Sequence, residues 1–111
     1  MLSYSHGTTT VPLLGETIGE NLRRTVEAHG DREALVVRSQ WYRATYRQLW
    51  DATTALARAL MAVGITPGER VGIWSPNRWE WVVTQFATAR MGAVLVNINP
   101  AYRTAELEYA L

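Results

Sequence analysis

Apolar residues fall at helical spacing in three stretches of this chain and in short continuous or alternating runs in four others, and the two kinds of segment are interleaved. Thr17 reads as the N-cap of a first helix over about 17–28, with Ile18, Leu22 and Val26 along one side, charge on the other, and Gly30-Asp31 closing it. Residues 33–38 and 40–44 then read as a short hairpin, with Ala34-Leu35-Val36-Val37 in one strand and Trp41-Tyr42 in the other. Thr45-Tyr46-Arg47-Gln48 has capping-box spacing, so Thr45 should open a second helix that ends near Val63, with Gly64 as its left-handed cap. Leu49, Thr53, Leu56 and Leu60 form the stripe expected to be buried, while Arg47, Asp51 and Arg58 face water.

Pro67-Gly68 fits the centre of a type II turn that delivers the chain into Val71-Gly72-Ile73-Trp74, an apolar run suited to a buried parallel strand. Asn77 is placed to cap a third helix carrying Trp79, Val82, Val83 and Phe86 on one face and ending at Gly92. Residues 93–96 are the second parallel strand, broken by Asn97-Ile98-Asn99-Pro100, and Thr104 should cap a last, two-turn helix with Glu106 and Glu108 near its positive end. On the third helix Trp81 shares a face with Thr84, Gln85 and Thr88, opposite Phe86. Two readings stand for that indole: a half-exposed surface Trp, or one covered by a further layer of protein or a partner.

The fold class is therefore α/β: a short hairpin and a βαβ unit flanked by amphipathic helices, around a small sheet, with a right-handed crossover. Parallel crossover units belong to wider sheets covered on both faces. Residues 1–15 are polar, turn-rich and read as a loose lead-in. Residues 16–111 then read as an incomplete domain, truncated on its C-terminal side.

The totals exclude several kinds of chemistry. With 111 residues the chain is one domain at most. A net charge of +1 with 19% charged residues gives no field strong enough to recruit nucleic acid or an anionic membrane. All eleven cations are Arg and none is Lys, which removes Schiff-base and Lys-assisted phosphate chemistry. The chain has no Cys, so thiolate nucleophiles and Cys-based zinc sites are excluded. No window approaches the roughly 18 apolar residues of a membrane span and no basic–apolar leader opens the chain, from which a cytoplasmic location is expected.

Candidate chemistry is sparse. Gly7-Thr8-Thr9-Thr10 has the residue types of a phosphate-holding turn, but no strand precedes it, no second Gly follows, and a flexible lead-in is the better reading. Ser75 lies between a strand and a helix, where a nucleophile elbow places its serine, yet the flanking glycines are missing from Ile73-Trp74-Ser75-Pro76-Asn77. His6 is a lead-in residue and His29 a helix-end residue; neither has a ligand pattern beside it. No catalytic, cofactor-binding or metal-ligating residue is assigned.

As an ordered set, the segments Glu16-Thr17-Ile18-Gly19-Glu20-Asn21-Leu22, Asp31-Arg32-Glu33-Ala34-Leu35-Val36, Thr45-Tyr46-Arg47-Gln48-Leu49, Gly68-Glu69-Arg70-Val71-Gly72-Ile73-Trp74 and Asn97-Ile98-Asn99-Pro100-Ala101-Tyr102-Arg103-Thr104-Ala105-Glu106 resemble the start of acyl-CoA synthetases. The chain is similar to the N-terminal piece of a fatty-acid–CoA ligase of the adenylate-forming (AMP-binding) superfamily. The resemblance implies, for the parent enzyme, ATP- and Mg²⁺-dependent activation of a fatty acid to acyl-adenylate and transfer to coenzyme A. It also implies a Ser/Thr/Gly-rich phosphate loop ending in Lys, a Tyr-Gly-x-Thr-Glu stretch, a ribose-binding Asp and a mobile-domain Lys, none of which occurs here. The expectation is a scaffold segment, inert alone, that docks or self-associates through an open sheet edge and the Trp81 face. The alternatives are a non-enzymatic module docking on full-length synthetases, or a small nucleotide binder using the helix start at Ser75-Pro76-Asn77.

Overall fold

The computed structural model describes residues 3–111. Residues 3–17 form neither helix nor strand. The elements that follow are α1 (Ile18–His29), β1 (Glu33–Val37), a 3-10 turn (Arg38–Gln40), β2 (Tyr42–Thr45), α2 (Tyr46–Ala62), β3 (Arg70–Trp74), α3 (Trp79–Met91), β4 (Val94–Ile98) and α4 (Thr104–Ala110).

Capping boxes form at both sites, where the spacing predicts a box at Thr45 and an N-cap alone at Thr17. Glu20 N–H donates to Thr17 Oγ1 (3.1 Å) and Thr17 N–H to Glu20 Oε2 (2.9 Å); Gln48 N–H donates to Thr45 Oγ1 (3.2 Å) and Thr45 N–H to Gln48 Oε1 (2.8 Å). Each box satisfies donors that the first helical turn leaves free. The stop signals also act as expected: Gly64 and Gly92 take positive φ beyond α2 and α3, and Gly68 (φ 87°) is the third residue of the turn closed by Glu69 N–H on Thr66 O.

β1 and β2 pair antiparallel, and β3 and β4 pair parallel with Gly72 opposite Val96. They do so as two separate two-stranded sheets rather than the single small sheet expected. The hairpin is joined by the 3-10 turn and by Trp41, whose φ of 52° is the only positive value outside glycine among the described residues. β4 runs two residues further than predicted, through Ile98, because Asn97 pairs with Ile73 and Ile98 with Trp74.

Leu22 and Val26 of α1, Leu49 of α2 and Val83 of α3 make the buried core, with Leu35, Trp50, Leu56, Trp79, Val82 and Phe86 packed on it. Leu56 and Leu60, expected in the buried stripe, are only half-buried, whereas Leu49 and Thr53 are buried. α3 lies between α1 and α2 on one side and the β3–β4 pair on the other. That position explains why Thr88 is buried, and Trp81 is half-buried, as the first of its two readings has it: this helix is enclosed nearly all round. The most exposed indole is Trp41, at 97%.

β3 and β4 were expected to be buried on both faces. Trp74 and Val94 are instead 49% and 48% exposed. The chain exposes 8682 Å², against roughly 6200 Å² for a compact monomer of this mass.

Candidate functional site

Two polar constellations hold α3. The first sits at its N-terminus. Asn77, expected as the cap, does not provide it; the N-cap position is Arg78, whose side chain makes no capping bond. Gln40, from the hairpin, reaches across instead. Its Oε1 accepts from Trp79 N–H (2.8 Å) and its Nε2 donates to Glu80 Oε2 (2.9 Å). Arg78 donates to both Glu80 oxygens from Nε (3.3 Å) and Nη2 (3.1 Å). These bonds, Arg78 first and Gln40 second, hold the Glu80 carboxyl down at about 2. Tyr42 stacks on Trp79 with ring centroids 4.5 Å apart and planes within 8°.

The second constellation joins α3 to α2. Arg90 Nη1 donates to Thr53 Oγ1 (2.6 Å), Thr54 Oγ1 (2.8 Å) and Trp50 O (3.0 Å), and its guanidinium lies 3.3 Å from the centroid of the Trp50 ring. Both hydroxyls in turn donate hydrogen bonds to Trp50 O (2.8 Å each). Burial lowers the Arg90 pKa, and Asp51 opposes that shift. Gly19 packs directly against this side chain, where an added Cβ would meet Arg90 Cγ at 3.3 Å.

The residues weighed from the sequence lie apart from these groups. Ser75 Oγ donates to Pro76 O (3.0 Å), a turn contact. Thr9 Oγ1 is engaged with the backbone of Val11, both as donor and as acceptor. His6 stacks near Tyr4 within the lead-in, and His29 is exposed at the end of α1. Thr104 is the first residue of α4 rather than its cap, and Glu106 closes that turn by accepting from Arg103 N–H (3.1 Å). Among the described residues no three His, Cys, Asp or Glu side chains come together.

Neither a nucleotide nor Mg²⁺ fits the donors present. The first amide of α3 is taken by Gln40, the Thr9 hydroxyl by its own turn, and the carboxylates are dispersed. Both constellations do structural work, fixing one helix against two neighbours. The cross-chain cap was invisible to local spacing, because its two halves are 39 residues apart.

Residues 22–111 match the family described as AMP-binding enzyme. The chain belongs to that family. It is 43% identical over 109 residues to the mitochondrial medium-chain acyl-CoA ligase ACSF2 of Danio rerio, and 43% identical over 110 residues to the human one. These alignments cover 98% and 99% of this chain and 18% of each relative. The N-terminal domain of FACL13 from Mycobacterium tuberculosis superposes with a TM-score of 0.83 at 32% identity, over 86% of this chain and 24% of that one. The match is thus to the N-terminal part of fatty acyl-CoA synthetases, and the chain spans about a fifth of the length of the curated relatives.

Proposed function

We propose that this segment is scaffold for a fatty-acid-activating ligase: the whole protein joins a fatty carboxylate to coenzyme A at the expense of ATP, and residues 16–111 supply helices and strands of its large domain. Identity of 43% along nearly the whole chain to medium-chain acyl-CoA ligases carries the reading. The excess of exposed surface supports it, because part of the roughly 2500 Å² beyond what a compact monomer shows is area that the remaining three-quarters of such a domain would cover, the extended lead-in contributing the rest. Alone, the chain forms no acyl-adenylate, since its donors do not assemble a triphosphate–Mg²⁺ site.

The test is pyrophosphate release from ATP, Mg²⁺ and a medium-chain fatty acid. None is expected from the purified chain. Addition in trans of the portion of a relative that lies beyond the matched segment should yield a stable complex. Fatty-acid-dependent release by the chain alone overturns inertness; failure of the two pieces to associate overturns the scaffold role.

A second reading, a non-enzymatic module docking on full-length synthetases, draws on the same open surface. Its docking face is the outer edge of the β3–β4 pair with Trp74 and Val94, rather than Trp81. Self-association through that edge is the expected behaviour of the isolated chain.

A further inference from the structure

We draw no further inference here: the strongest candidate, the concavity at the carboxyl end of β4 lined by Asn97, Asn99, Tyr102 and Tyr109, lies open in a segment that spans about a fifth of its relatives' length, and nothing in the structure shows what covers it.

Discussion

Replacing Gln40 with Ala removes, in one step, the acceptor for Trp79 N–H and a donor to Glu80. Loss of an N-cap acceptor costs about 1 kcal/mol, within a range of roughly 0.5–2. The Glu80 contact adds little, because that side chain is 45% exposed and water replaces the lost donor. The Tyr42–Trp79 stack survives only if the hairpin stays docked, so the upper end of the range applies if its tip lifts away. The expected loss is about 1–2 kcal/mol, or roughly 5–10 °C in Tm for a chain of this size. Urea and thermal melts followed by circular dichroism measure it, and amide exchange at Trp79, Glu80 and Trp81 should accelerate more than exchange in α1. Arg78→Ser, which offers a local hydroxyl at the N-cap position, should recover part of the loss in the Gln40→Ala background and gain nothing in the parent. A Gln40→Ala melt indistinguishable from the parent, or no recovery with Arg78→Ser, would refute the cross-chain cap.

Further outcomes follow from the same contacts. Glu80 is held at about 2 against an ordinary 4.5, so its contribution is present above the unfolded value and is lost as pH falls from about 4.5 to 2; the acid slope of Tm over that window should flatten in Glu80→Gln. Arg90→Ala should destabilise by about 2–3 kcal/mol, since three acceptors on α2 lose a charged donor and Trp50 loses its stacked cation. Arg90→Lys should recover less than half in the same urea melts, because an ammonium cannot both stack and reach all three oxygens. The isolated chain should bind a hydrophobic dye and sediment as a concentration-dependent mixture, with Trp74→Ser reducing both; a dye-negative monomer would show that the β3–β4 face is adequately covered.

What the sequence disclosed was local, and what it concealed was tertiary. Thr17, Thr45 with Gln48, and Gly64, Gly68 and Gly92 all act within a few residues of where they stand, so local reading located α1, α2 and the turns. Asn77 looked equally good as a cap, but Gln40 arrives from a hairpin whose docking no local pattern encodes. For Trp81 the helix pattern left half-exposure and cover equally open; the packing of α3 on two sides, which makes Thr88 of the same face interior, is tertiary. Trp41 gave no warning, because β-turn chemistry ordinarily puts Gly or Asn at positive φ. The Arg90 clamp left a faint signal: the one cation within α3, in its last turn, with a Thr-Thr pair on α2 to receive it.

The main buried cluster, Leu22, Val26, Leu49 and Val83, precedes β4, whose one buried apolar residue, Ile98, lies outside it. During synthesis the α1–α2–α3 core can therefore close before β4 has emerged, and the open β3 edge then waits, already templated, for strands not yet made. In a relative some five times as long, such a segment would serve as a folding seed whose unfinished side directs where later chain is laid down.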